Sequence, residues 1–208
     1  MKKFTQESML EILDSTYTMA INGIPGTLSA EELANEYLKK ANDIHSAAKD
    51  LINWQVAKCG TSGFLSGLGG IITLPVTLPA NIVSVIYVQI RMIAAIACIG
   101  GYDIQDDRVK TLVYMCLCGN GAKDIVKGVG INFGSKITTS MIEKIPGTVL
   151  TKINQGVGFR LVTKFGSKGV VNLGKMVPLT GGVIGAGFDI TSTKVIANVA
   201  NETFIGPR

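Results

Sequence analysis

A single histidine, His45, is all the imidazole this 208-residue chain has. It stands beside the apolar stripe of an amphipathic segment, with Asp43 and Asp50 near in sequence and no partner at ligand spacing. Histidine-based triads and His-rich metal centres are therefore poor readings, and a structural or exposed role is expected for it. Cysteine occurs four times, at 59, 98, 116 and 118, with no CxxC pair. That spacing supports neither a disulfide frame nor a zinc site, so reduced thiols are expected. Cys116 and Cys118 would stand about 200° apart on a helix and read as small apolar fillers. Aromatics make up only 6% of the residues. Base-stacking platforms need more rings than the basic region offers (Phe133, Phe159 and Phe165), and nucleic acid is not an expected partner. Met1-Lys2-Lys3 runs straight into Glu7, Glu11 and Asp14. With no apolar run there, no cleavable signal peptide is expected, and the chain is read as cytoplasmic.

What the chain has in quantity is apolar sequence and glycine. Residues 61–102 hold one charge, Arg91, in 42 positions, and glycine accounts for 25 of the 208 residues. Abundant glycine with few rings points to helices that approach backbone to backbone. Pro75 and Pro79 break the stretch, because each lacks a donor and crowds the preceding turn. The expectation is a helical hairpin. Its first arm, 61–74, would be about 21 Å long and its second, 80–102, about 34 Å, against a hydrocarbon core of about 30 Å. Nine Ile and Val residues between Ile82 and Ile99 favour insertion of the second arm by about 3–5 kcal/mol, and Arg91 at its centre opposes it by about 3. The balance leans toward a buried core arm.

Charge is divided along the chain. Residues 1–58 carry 6 basic and 8 acidic groups, whereas 123–175 carry 9 basic and 2 acidic. The later cations (Lys123, Lys127, Lys136, Lys144, Lys152, Arg160, Lys164, Lys168 and Lys175) are dispersed among apolar residues. That distribution suits an anionic lipid surface, and a merely solvated face is the plain alternative.

The spacing of Met9, Leu10, Leu13, Tyr17 and Ala20 predicts a first helix ending at Asn22-Gly23. Ser29 and Glu32 form a capping box that opens a second helix. Its stripe of Leu33, Tyr37, Ala41, Ile44, Ala48, Leu51 and Gln55 predicts one amphipathic helix to about Lys58. Beyond the hairpin, a helix is expected over 107–118. Short helices with glycine turns follow over 125–129, 136–145 and 149–165. An apolar run over 176–188 precedes a helical pattern at Ile190, Val195, Ile196 and Val199.

Signatures of chemistry fail in detail. Gly169 to Lys175 matches seven positions of a phosphate-binding loop, but Met176 stands where Ser or Thr must hold magnesium. Gly128-x-Gly130 and Gly156-x-Gly158 lack a third glycine in place. No cofactor and no metal are expected. The polar side chains an enzyme would have to use are Arg91, Asp103, Arg108, Arg160, Lys175 and Asp189, which include no carboxylate pair at the spacing of an acid and a base. Two other features concern packing. Gly63 with Gly67, and Gly181 with Gly185, give smooth helix faces. Arg91 and Asp189 are lone charges in the two most apolar zones, and the cost of burying either alone predicts that they approach each other.

The strings GLGGIITLPVTLPANI (67–82), QIRMIAAIACIGGYD (89–103), IPGTVLTKINQGVGFRLVTKFG (145–166) and NLGKMVPLTGGVIGAGFD (172–189) resemble the EcsC protein family over nearly the whole chain. The family takes its name from a bacterial gene neighbouring an ABC transporter. The resemblance implies a mostly helical, hydrophobic, membrane-associated protein of unestablished activity, and it supplies no catalytic residues. Taken together, the expectation is an all-α single domain over 1–208. Residues 1–58 form its amphipathic part and 59–208 its apolar, glycine-rich, basic part. The expected role is binding: to anionic lipid, peripherally at the inner face of the cell membrane, or beside a membrane transporter. The alternatives are a soluble helical adaptor, with a membrane protein as candidate partner, and, last, an enzyme at the membrane.

Overall fold

The computed structural model describes residues 5–59, 80–129, 136–165 and 181–207, with side-chain surroundings excluded at 59, 80, 81 and 181–189. Among the described residues the fold is all α, with no strand. The first arm of the expected hairpin, Pro75 and Pro79 lie outside the described residues, as do Gly63, Gly67, Lys168 and Lys175.

The chain begins with α1, Gln6–Asn22, capped by Thr5, whose hydroxyl accepts from the Ser8 amide while Ser8 reaches back. Gly23 and Gly26 take positive φ (77° and 81°), and the chain turns there into α2, Ala30–Leu38. The Ser29–Glu32 box forms in both directions, at 3.1 Å and 2.8 Å. The expected single helix to Lys58 is in fact two. It stops at Leu38, and α3 spans Ile44–Cys59. Asp43 explains the break, because its carboxylate accepts from the Ser46 amide at 2.9 Å and starts a new N-terminus.

Helix α4, Ala80–Ile99, is the axis of the fold. It packs against α1, α2, α3, α5 (Asp107–Cys116) and α9 (Gly181–Phe204). Over Ile82–Ile99, 83% of the residues are buried inside the protein. A helix whose length and composition would let it cross a bilayer is thus enclosed by protein on nearly every side. One contiguous apolar cluster runs from Met9 and Leu13 through Tyr87, Ile90 and Ile93 to Val199 and Phe204. Several polar groups beside it are bonded across elements. Gln89 Nε2 donates to Thr193 Oγ1 at 3.0 Å, and the Tyr87 and Thr27 hydroxyls are 2.7 Å apart. Tyr17 and Tyr114 stack edge to face at 5.7 Å, their hydroxyls donating to Ile104 O and Asp14 Oδ1.

After α5 come a 3₁₀ turn at Gly119–Gly121, α6 (Ala122–Lys127) and α7 (Thr139–Glu143). The expected helix over 136–145 is shorter because Ile137 donates its amide to Thr203 O, tying an extended lead-in to the end of α9. Helix α8, Gly147–Phe165, packs on α1 and α5. The last 24 residues read as helix, Gly181–Phe204, form one uninterrupted element, where an apolar run followed by a separate helical pattern was expected. Asp189 does not end a segment; it lies within α9.

The exit from α4 leaves no room for a side chain against neighbouring backbone. Gly101 takes φ 86°. A Cβ built on Gly100 would stand 2.5 Å from the Phe204 carbonyl oxygen and 2.8 Å from Tyr102 Cε2. The ring can turn aside, but the carbonyl belongs to α9. Gly100→Ala is therefore expected to cost about 1–3 kcal/mol through overpacking, with the melting temperature falling by about 2–4 °C per kcal/mol. An unchanged melting temperature would mean that α4 and the end of α9 are not in contact.

Candidate functional site

An open cleft of about 800 Å³ lies between two helices far apart in sequence, α3 and α9, with the first turn of α6 at its side. The two helices are in contact, and the faces they bury include small side chains: Ala47 and Ala48 on α3 and Ala197 and Ala200 on α9 are fully covered. Their polar faces then diverge as the walls. From α3 come His45, Lys49 and Asn53, at intervals of four and so on one face. From α9 come Lys194, Asn198 and Glu202 at the same interval, with Asn201 beside them, and Lys123 comes from α6.

The electrostatics are one-sided. Three lysines (49, 123 and 194) stand against one carboxylate, Glu202, a net charge of +2. Lys49, Lys123 and Lys194 are exposed, so their ammonium groups remain hydrated and mobile. Three carboxamides add paired donors and acceptors between them. Such a surface can hold an anion by several donors at once; it has no nucleophile and base poised together.

Of the cations expected to meet an anionic surface, Lys123 lines the cleft. Lys127, Lys144 and Lys152 are exposed but do not line it. Lys136 is half-buried, its Nζ 5.8 Å from the centre of the Tyr102 ring. Arg160 is held by Asp124 at 2.5 Å, and Lys164 donates to Ser192 at 3.2 Å. The dispersed basic stretch thus divides into local partners and free-standing charges. Two cleft lysines, Lys49 and Lys194, lay outside the stretch that the charge count singled out.

Arg91 is 4% exposed. Its Nη1 donates to Leu28 O at 3.3 Å, and its Cζ lies 5.5 Å from the centre of the Tyr87 ring. The side chain therefore meets the loop between α1 and α2. The expected partner, Asp189, has a side chain outside the described residues, as do the surroundings of Gly181 and Gly185.

A model of the EcsC protein family matches residues 4–205. The chain belongs to the EcsC protein family. No curated protein and no solved structure matches it. Three of the polar side chains that an EcsC enzyme would have to use have local partners. Asp103 accepts from the Gln105 amide at 2.8 Å, Arg108 lies 3.7 Å from Asp106, and Arg160 is bound to Asp124. Nothing in the EcsC chain's linear sequence marks the cleft except the four-residue spacing of polar groups on α3 and on α9. That signal is no stronger than any amphipathic helix gives.

Proposed function

We propose that this EcsC-family protein is a helical binding protein that attaches to anionic surfaces, peripherally at the inner face of the cell membrane, through the cleft between α3 and α9. The observation that carries the reading is the convergence of Lys49, Lys123 and Lys194 on one open concavity with a single opposing carboxylate. Each lysine near an anionic bilayer contributes about 1 kcal/mol, screened by salt. The enclosure of α4 favours attachment with the fold intact over insertion of the hairpin, because insertion would first have to strip five helices from its sides. The same enclosure supports the second reading, a soluble adaptor in which α4 is ordinary core and the partner is a membrane protein.

Replacing Lys49, Lys123 and Lys194 together by alanine tests the proposal. Affinity for vesicles rich in anionic lipid is expected to fall about a hundredfold, with the helical circular dichroism unchanged. The matched triple variant at Lys127, Lys144 and Lys152 is the control and is expected to lose far less. Equal losses in the two variants would mean that net charge, not the cleft, drives attachment.

A further inference from the structure

We infer that a second, smaller pocket, walled by the loop before α2, α2 itself, α3 and α4, binds a small molecule carrying a phosphate oxyanion beside a hydroxyl group. Its volume is about 220 Å³, the share of about seven water molecules. That is room for a phosphorylated three-carbon unit.

Two buried side chains make this a site. Arg91, at the centre of the most apolar helix, and Gln55, 1% exposed on α3, both line the pocket. Each keeps a polar atom without a hydrogen-bond partner: Arg91 Nε and Gln55 Oε1. Groups buried this deeply are almost always bonded, and an orphan costs stability. Among the described residues no carboxylate pairs with Arg91. Its Nη1 is taken by the Leu28 carbonyl, which fixes the guanidinium plane; Nε is left without a protein partner but is itself covered, so an oxyanion grips that edge in bidentate fashion only as the side chains around it give way. Gln55 Oε1 is an acceptor only, so it calls for a donor from the ligand, which an oxyanion alone does not have. An oxyanion for Arg91 and an adjacent hydroxyl for Gln55 are the two halves of one ligand.

The rim supports the assignment. Lys58 stands over the Trp54 ring, 5.2 Å from its centre, and both line the pocket. Glu36, the one acid there, is bound to Lys40 at 2.7 Å, and that hydrogen bond holds its carboxyl below the usual range. The negative charge is thus compensated from outside, and the pocket keeps a positive balance. The ligand could be a free phosphorylated polyol or the glycerophosphate headgroup of a lipid. The chemistry is shared, and the source is what the experiment separates.

Trp54 is the only tryptophan in the chain and lines this pocket, so its fluorescence reports occupancy directly. The full-length protein is titrated with glycerol 3-phosphate, with inorganic phosphate, and with vesicles containing phosphatidylglycerol at high salt. Arg91→Lys keeps the charge and removes the fork, and Gln55→Leu removes the acceptor. A saturable change with glycerol 3-phosphate, weakened about ten- to hundredfold in either variant, establishes the site for a soluble ligand. A response to the vesicles alone, lost in the same variants, assigns it to a lipid headgroup. Circular dichroism checks that each variant folds, and Lys58→Ala, at the rim, provides a variant outside the core that is also expected to weaken binding. The inference is overturned if none of the probes alters the emission, or if all three variants respond as the unaltered protein does. Inorganic phosphate binding as tightly as glycerol 3-phosphate would overturn the role given to Gln55. Because glycerol 3-phosphate is soluble, this result does not depend on the cleft lysines, whose triple variant should bind it normally.

Discussion

Replacing Ile93 with alanine is expected to lower the unfolding free energy by about 2–5 kcal/mol in detergent-free buffer. Ile93 is fully buried at the middle of α4, between neighbours that are themselves fully covered, such as Ile90, Ala94 and Ile96. Removing its outer atoms forfeits their transfer free energy and leaves a cavity that close packing cannot collapse. A loss of this size is a large part of the stability of an ordinary domain. Urea unfolding followed by far-ultraviolet circular dichroism measures it. If α4 instead faced lipid, Ile93 would have no protein packing to lose, and a cost below about 1 kcal/mol would say so.

Alkaline pH is expected to unfold the protein well before it would an average domain. Burial pushes the Cys98, Cys116 and Cys118 thiols up to about 12, from an ordinary value of 9.0. Burial also raises the Tyr17 and Tyr114 phenols, and the Asp14 carboxylate adds to the effect at Tyr114. All five groups are neutral when protonated, so the folded state holds protons that the unfolded chain gives up from about pH 9. Stability from these groups is complete below that pH and is lost as pH climbs toward the folded-state values. Each group can remove up to about 1.4 kcal/mol per pH unit. With Cys98, the least covered of these three thiols, discounted for solvent access, the sum by pH 11 is still several kcal/mol. The melting temperature should hold between pH 7 and 8.5 and fall steeply above pH 9. A flat profile to pH 10.5 would mean that these thiols and phenols are open to solvent.

The elements legible in the sequence were those whose signals are local. The Ser29–Glu32 box and the stripe from Met9 to Ala20 each need only a few neighbouring residues, and each formed as read. The break between α2 and α3 was missed because the apolar spacing continues through Ala41 and Ile44, while one side chain, Asp43, captures the Ser46 amide and restarts the helix. Helix α9 was read in two pieces because Asp189 looks like a terminus, yet a charge one residue before Ile190 can sit inside a helix as readily as at its end. The cleft was illegible for a different reason. Lys49 and Lys194 meet only because α3 and α9 pack, and no count of charge along the chain brings residues so far apart together. Arg91 was legible as a problem, a buried cation needing a partner. Its actual neighbours, a backbone carbonyl and a ring, carry no signature that sequence spacing could reveal.

The central claim is that the protein attaches to anionic surfaces with its apolar helix still enclosed. Flotation of the detergent-free protein with neutral and anionic liposomes, at low and high salt, tests it most directly. The account predicts flotation with anionic liposomes at low salt, its loss at high salt, and none with neutral lipid. Flotation that survives high salt, or that occurs equally with neutral lipid, would contradict it and put α4 in the bilayer.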